Sequence, residues 1–376
     1  MQMLLGMTIE ELKQFAAEIG EKPFRGKQIF VWLSRGAVSF DEMTDLPKSL
    51  REKLKGCAQI GGCRAVRVQE DTSDGTRKIL FEAAQEGADA AGDSASADAA
   101  GNPDGAGPTA RETFEGVFMK YSYGNSLCVS SQIGCRMGCR FCASALGGFV
   151  RNLTAGEMLG QVLEAERVTG EKVGHIVIMG MGEPFDNYEN VAQFLRLLHD
   201  ENGRNMSWRN MTVSTSGIIP KIRQFAEDFP QVNLAISLHR LTDEGRSSIM
   251  PVNRKYPVKK LLEAAHDYTD MTHRRVTFEY ALIEGENDRE QDVQLMIRKL
   301  GGMLCHVNLI PLNKVEETGY SGSSRKRARE IAETLEKSGI PATVRRQLGS
   351  EIDGACGQLR RRQQTNMPCL KNADGL

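Results

Sequence analysis

The 376 residues are 40% hydrophobic and 26% charged, with a formal net charge of −1, an ordinary balance for a globular chain long enough for one large core and a smaller module. No run approaches the roughly eighteen apolar residues of a membrane span, and the start, "MQMLLGMTIEELKQF", has no basic region ahead of its short apolar patch, so neither a membrane helix nor a signal peptide is expected. Nine cysteines at irregular spacing argue against a disulfide framework and for a reducing, cytoplasmic setting in which thiols are kept for chemistry.

Residues 1–62 read as a helical module. "TIEELKQFAAEIG" opens with Thr8 and Glu11, a capping-box pair, and continues with helical apolar spacing. "KPFRGKQIFVWLSRG" mixes Arg25, Lys27 and Arg35 with Phe24, Phe30 and Trp32, and "FDEMTDLPKSLREKLKG" adds another short helix or two. Ile29, Phe30 and Trp32 read first as the module's core, and the Lys/Arg set as an RNA-contacting face.

Residues 63–123 read as a β-hairpin and linker. The strand-like "TRKILFEAA" and "RETFEGVFMKYSY" flank an Ala/Gly/Asp/Ser tract over 83–110, which carries five acids and no Lys or Arg. That composition predicts a disordered insert in the hairpin's connection, which loop-closure entropy tolerates cheaply. Without the tract the net charge turns from −1 to +4, a mildly basic remainder compatible with a nucleic-acid partner.

Over 124–348 strand and helix alternate. The strand-like runs are "SLCVSSQIG", "HIVIMGMGEP", "MTVSTSG", "NLAISLHR", "VTFEYALI" and "HVNLIPLN"; helical runs follow each, one of them opened by the capping-box pair Thr154 and Glu157. Six such units predict an α/β fold with a parallel sheet and helices outside. Periodicity leaves open whether the sheet is doubly wound or a partial barrel, and either way ligands belong at the C-terminal strand ends. Residues 349–376 read as a C-terminal loop and basic tail.

"SSQIGCRMGCRFCAS" places Cys135, Cys139 and Cys142 in one tight loop, with Gly134 and Gly138 easing its turns. Thiolates bind zinc and iron–sulfur clusters. A structural zinc site fills four positions. Three ligands on a four-iron cluster leave one iron open, and an open metal position is where chemistry happens.

This C-x3-C-x2-C loop after the first strand of a six-unit β/α chain resembles the radical S-adenosylmethionine (SAM) superfamily. "YGNSLCVSSQIGC", "MGMGEPFDNYENV", "TVSTSGIIPKI", "RRVTFEYALI", "HVNLIPLN" and "EIDGACGQLR" further resemble the RlmN-type adenine RNA methyltransferases, across nearly the whole chain outside 83–110 and the tail. Two departures are Arg240 in "LHR", where the family usually has a small residue, and Gly354 in "DGACGQ", where Ala is commoner; neither removes a functional group.

The resemblance implies a partial (β/α)6 barrel, a [4Fe-4S] cluster on Cys135, Cys139 and Cys142, and two SAM molecules per turnover. It implies that Cys356 is methylated by a first SAM and that a radical made from a second takes hydrogen from that methyl group. The resulting methylene radical joins RNA to protein, and Cys128 resolves the adduct by a transient disulfide with Cys356. Glu115 matches the position of a proton acceptor, and the residues leave open whether it or Cys128 takes the carbon 2 proton; alone, Glu115 also suits a carboxylate on a strand face and Cys128 a buried strand thiol. Gly182, Glu183, Ser214, Ser237, Leu238, His239 and Asn313 match SAM-contacting positions. The implied substrates are an adenosine of 23S rRNA, methylated at carbon 2, and some tRNAs. An electron donor such as flavodoxin or ferredoxin, a monomeric state and no membrane partner complete the expectation. The basic clusters "HRRVTF", "SSRKRAR", "VRRQ" and "QLRRRQQ" suit phosphates or merely solvated faces. The rivals are a Cfr-type enzyme acting at carbon 8 and a non-catalytic RNA-binding factor with a structural metal. Cys57, Cys63, Cys305 and Cys369 read as ordinary structural thiols.

Overall fold

The structure, a computed structural model, describes residues 1–84, 112–313, 316–355 and 357–359. The N-terminal module contains β1 (Gln2–Met3), α1 (Ile9–Glu18), α2 (Phe24–Ser34), α3 (Lys48–Cys57) and β2 (Ala58–Gln59), with β1 and β2 paired in parallel. The Thr8–Glu11 capping box forms, Glu11 accepting from the Thr8 N–H at 2.7 Å. Ile29 and Phe30 are core residues; Trp32 is half-buried and its indole donates to Asp45 at 2.6 Å. Phe24 is 52% exposed beneath the Arg25 guanidinium.

Ten strands form one sheet. Its antiparallel flank is β3 (Cys63–Asp71), β4 (Thr76–Ala83) and β5 (Thr113–Tyr121), joined to β6 (Gly124–Cys128). The segment expected as a hairpin and linker is therefore an extension of the main sheet. β4 and β5 do pair as a hairpin; of the acidic tract between them only Ala83 and Ala84 are among the described residues. β3 escapes the period-2 reading because its register shifts between Ala65 and Arg67.

From β6 onward all pairings in this sheet are parallel: β9 (His175–Ile178), β10 (Met211–Thr215), β11 (Asn233–Ser237), β12 (Val276–Leu282), β13 (Cys305–Pro311) and β14 (Ala342–Val344). That makes seven parallel strands, one more than the sequence predicts. β14 is only three residues long and runs into Arg345 and Arg346, so it carries too little alternation to read as a strand. Helices α5 (Ala155–Thr169), α6 (Tyr188–His199), α7 (Ile219–Asp228), α9 (Val258–Thr272), α10 (Glu290–Leu300) and α11 (Arg325–Lys337) link successive strands, and the short α8 (Asp243–Ile249) sits before α9. β5 and β13 stand six places apart in the strand order, yet their side chains line one cavity. The sheet is thus curled into a partial barrel; a flat doubly wound sheet would hold those strands apart.

The run "SLCVSSQIG" breaks where one strand is expected. β6 ends at Cys128, and β7 (Gln132–Gly134) turns away to pair antiparallel with β8 (Phe149–Asn152). Gln161 of α5 explains the break. Its side-chain amide both accepts from the Ser130 N–H and donates to the Ser130 carbonyl, each at 2.9 Å, occupying the backbone a strand would use. Among the described residues no helix is long and apolar enough to cross a membrane.

Candidate functional site

The cysteine loop leaves β7 through Gly134, whose φ is +74°; a Cβ there would lie 1.8 Å from the Gly148 carbonyl oxygen, so only glycine fits. Cys135 N–H donates to that same oxygen at 3.1 Å and Cys142 N–H to the Cys139 carbonyl at 3.2 Å. Cys142 then caps α4 (Ala143–Leu146). Burial pushes the Cys135 thiol up to about 12 and Cys139 well above its ordinary value, and the neighbouring thiols push in the same direction. Gln132 ties this loop to the strand-end motif after β9: its amide accepts from the Glu183 N–H at 2.9 Å and donates to Asp186 at 2.8 Å.

Glu183 is 3% exposed. Its carboxylate accepts from Phe185 N–H at 3.0 Å, Thr215 Oγ1 at 2.8 Å and Ser216 N–H at 2.7 Å. Burial raises its pKa against those bonds. A carboxylate has about four acceptor positions, so roughly one remains for an ammonium group. Gly182, with φ +105°, is held to glycine because a Cβ would lie 2.6 Å from Gln132. Ser216 Oγ is buried and without a hydrogen-bond partner, a polar atom beside Glu183 that a bound ligand would satisfy.

Behind this row stands Arg246, fully buried at 0% exposure. Its guanidinium donates to the carbonyls of Ser216 at 2.6 Å, Ser237 at 3.0 Å and Leu238 at 3.1 Å, and to Asn253 Oδ1 at 3.2 Å. It binds together the ends of β10 and β11. Burial lowers its pKa to about 10, still charged at neutral pH, and it couples electrostatically to Cys139. His239 follows in a left-handed conformation at φ +56°. Asn287 holds it there, donating to its carbonyl at 2.8 Å and to that of Ala281 at 2.7 Å. Ala281 N–H donates to His239 Nδ1 at 2.9 Å, which leaves the ring's proton on Nε2. Burial lowers the imidazole's pKa to about 3, so it is neutral. Its ring meets Phe141 of the cysteine loop edge-on at 4.9 Å.

Across the barrel, Lys78, Val117 and Cys128 stand abreast on β4, β5 and β6. Glu115 lies two residues before Val117, its carboxylate 3.7 Å from Lys78 Nζ with both side chains 2–3% exposed. Ser130 Oγ donates to the Glu115 carbonyl at 2.6 Å. The C-terminal loop closes over this corner. Lys78 reaches the Asp353 carbonyl at 3.4 Å, Ala143 N–H donates to the Gly357 carbonyl at 2.8 Å, and Ser144 Oγ to that of Leu359 at 2.7 Å. A cavity of about 70 Å³ is lined by Cys128, Cys142, Met179, Asn313, Ala355 and Gly357, among others. Cys356 itself lies outside the described residues, as do Cys369 and the basic tail from 360.

The structure thus brings Cys128, Cys142 and Asn313 onto one wall, and gathers Glu183, the strand end after Ser214, and His239 at the C-terminal strand ends. Glu115 is not on that wall but beside it, paired with Lys78. Ser237 and Leu238 offer their carbonyls to Arg246, so their backbone oxygens serve the scaffold. Sequence reasoning missed Arg246, Lys78, Ser216 and Asn287; only "TVSTSG" hinted at Ser216. Cys57, Cys63 and Cys305 are unpaired thiols, as expected.

These residues fit the group the resemblance implies. Three half-buried thiols share one loop, a buried carboxylate keeps an acceptor position, and an orphaned hydroxyl lies beside it. No group of three or more His, Cys, Asp or Glu among the described residues is arranged to hold a single metal ion; an iron–sulfur cluster spreads its thiolate ligands over several irons.

Comparison with known proteins gives a concordant result. A profile described as the ribosomal RNA large subunit methyltransferase N-terminal domain matches residues 2–60, and one for the radical SAM superfamily matches 129–297. A probable dual-specificity RNA methyltransferase RlmN of Clostridium perfringens is 46% identical over 362 residues, covering 96% of this chain and 97% of its own. The corresponding protein of Clostridioides difficile is 45% identical over 360 residues, covering 96% and 98%. The crystal structure of a radical SAM methyltransferase from Sphaerobacter thermophilus superposes with a TM-score of 0.85 at 42% identity, covering 96% of this chain and 99% of that one.

Proposed function

Because the chain belongs to the RlmN family of radical SAM RNA methyltransferases, we propose that it methylates carbon 2 of an adenosine in the peptidyl-transferase region of 23S rRNA and of adenosine 37 in some tRNAs. One observation carries the reading at the level of residues. Cys128 shares a cavity wall with Cys142 and with Ala355 and Gly357, the neighbours of Cys356 in the chain. When bound, the cluster with SAM supplies a methyl group and a deoxyadenosyl radical. The protein's residues do the rest. Cys135, Cys139 and Cys142 hold the cluster. Glu183 and the Ser216 hydroxyl seat the SAM amino acid moiety beside it, with Gly182, Ser214, Ser237, Leu238, neutral His239 and Asn313 completing the cradle. Cys356 carries the methyl carbon to RNA.

Carbon 2 of adenine is electrophilic and has no use for an electrophilic methyl donor, which is why a sulfur carrier is needed. Cys128 then attacks Cys356 sulfur: the S–S bond forms as the bond from that sulfur to the product carbon breaks, the electron pair stays on carbon and is protonated to the methyl group, and the disulfide is left for reduction. Glu115, buried beside Lys78, takes the displaced proton. A low-potential donor such as flavodoxin or ferredoxin, a monomeric enzyme and a cytoplasmic location complete the proposal.

The test is product identity. Cluster-loaded enzyme is incubated separately with protein-free 23S rRNA fragments and with tRNA, and the digests are analysed by mass spectrometry. 2-Methyladenosine is expected in both. Product solely at carbon 8 overturns the assignment in favour of a Cfr-type activity. Cys128→Ala is expected to accumulate a covalent RNA–protein adduct; ordinary turnover by that variant removes the resolving role.

A further inference from the structure

At the cluster end of the barrel the cysteine loop packs on His239, and the carbonyls of Gly357 and Leu359 accept from Ala143 N–H and Ser144 Oγ. The opposite end is open. A second cavity of about 720 Å³ occupies the lumen at the N-terminal strand ends. It shares Met119, Tyr121, Met179, Arg345 and Arg346 with the small cavity beside Cys128, so the two are joined along one wall.

The chemistry of this mouth is specific. Tyr121 and Tyr123, at the β5–β6 turn, stack on each other with ring centres 4.9 Å apart and planes 9° from parallel. Tyr123 is 64% exposed and meets His175 in a T-shaped contact at 5.1 Å. A large aromatic ring held out to solvent in a fixed orientation is what an unstacked base packs on. Around it stand His273, Arg274, Arg275, Arg345 and Arg346, against the single buried carboxylate of Glu279 on the lumen wall. Arg274 is tied to Asn233 at 2.6 Å and Arg345 reaches Glu279 at 3.5 Å. Arg275 and Arg346 are exposed and have no ion-pair partner among the described residues.

The distance also suits a nucleotide. Tyr121 and Val117 lie on the same face of β5, four residues apart, which is about 13 Å of strand. Val117 is registered directly opposite Cys128. One nucleotide turned out of its stack can span from the mouth to that level.

We infer that RNA enters the barrel through its N-terminal mouth, with Tyr123 as the stacking platform for a base next to the reacting adenosine and Arg275 and Arg346 meeting the flanking phosphates. The inference rests on the RNA methyltransferase reading above. It places the RNA contacts on "HRRVTF" and "VRRQ", and gives Arg327 of "SSRKRAR" a structural duty: on α11 it donates twice to the Asp288 carbonyl, at 2.9 and 2.7 Å.

The experiment uses the cluster-loaded full chain and a synthetic RNA stem-loop with an unpaired adenosine. Binding is measured by fluorescence anisotropy at several salt concentrations, and methylation by mass spectrometry. Tyr123→Ala is expected to weaken binding about tenfold, and Tyr123→Phe, which keeps the stacking face, to stay within about twofold. Arg275→Gln and Arg346→Gln should each lower the slope of log affinity against log salt by about 0.7. Arg223→Gln, on the outer face of α7, should change neither. Iron content and thermal midpoint check that each variant is intact. If the unaltered enzyme binds and methylates the stem-loop while Tyr123→Ala, Arg275→Gln and Arg346→Gln all match it, the entry route is wrong and the activity stands. If the unaltered enzyme neither binds nor methylates it, the functional reading fails and the inference with it.

Discussion

Arg246→Met removes a buried cation and tests whether the strand ends proposed as the SAM cradle need it. The guanidinium supplies the donors for three buried carbonyls, those of Ser216, Ser237 and Leu238, and for Asn253 Oδ1. Each carbonyl left unsatisfied costs about 1–3 kcal/mol. Against that, methionine no longer buries a charge that has no carboxylate in hydrogen-bond contact, a relief of several kcal/mol. The net expectation is a destabilisation of about 2–4 kcal/mol. At roughly 2 °C per kcal/mol for a chain of this size, the thermal midpoint should fall by about 4–8 °C. The local effect should be larger than the global one, because Ser216 also donates to Glu183. SAM affinity of the cluster-loaded protein, measured by isothermal titration, should drop about tenfold. Arg246→Lys should recover less than half of either loss, since an ammonium group cannot span acceptors on three separate segments as a planar fork does. A midpoint within 1 °C of the unaltered protein, together with unaltered SAM affinity, would refute the claim that this cation sets the strand ends in place.

Three further outcomes follow from the same geometry. Cys139→Ala should lose most iron and sulfide after anaerobic reconstitution, and a variant that keeps both contradicts the ligand assignment. For His239 the folded pKa, about 3, lies below the unfolded value near 6.5. The unfolded chain therefore takes up the proton first, and stability is full above pH 6.5 and falls by about 1.4 kcal/mol per unit toward pH 3. At pH 5 this group alone should cost about 2 kcal/mol, read as a lower urea midpoint; His239→Gln should flatten that part of the slope, and an identical slope in both proteins rejects a buried neutral imidazole. Lys78→Met removes the cation 3.7 Å from the Glu115 carboxylate, both at 2–3% exposure, and should destabilise by about 3–5 kcal/mol, whereas Lys78→Met combined with Glu115→Gln should recover much of it. A double variant no better than the single one shows that the two groups are not coupled.

What was legible in the sequence was chemistry carried within one short segment. Cys135, Cys139 and Cys142 lie in a single loop, so their spacing already encodes their proximity. The same is true of the Thr8–Glu11 and Thr154–Glu157 capping boxes, both of which form. The parallel strands were legible where they were long enough to show a pattern. β14 was not, because three residues gain their strand conformation from the ladder of β13 rather than from their own alternation. The break after Cys128 was hidden for a related reason: it is imposed by Gln161, some thirty residues on, whose amide claims the backbone of Ser130. Lys78 and Arg246 show the limit most clearly. A charged residue in a strand or short helix reads as solvated, and nothing near Arg246 in the chain announces that it is buried. Its acceptors come from the end of β10, the end of β11 and the turn holding Asn253, which meet only when the sheet curls. The backbone carbonyls at those strand ends point where no further strand can satisfy them, so a donor must be brought from elsewhere, and the fold brings a guanidinium. Asn287 does the same service for the left-handed turn at His239. A motif thus records the side chains that touch the reagent. The groups that hold those side chains in place are written in the convergence of distant backbone, and they become predictable only once the curvature of the sheet is known.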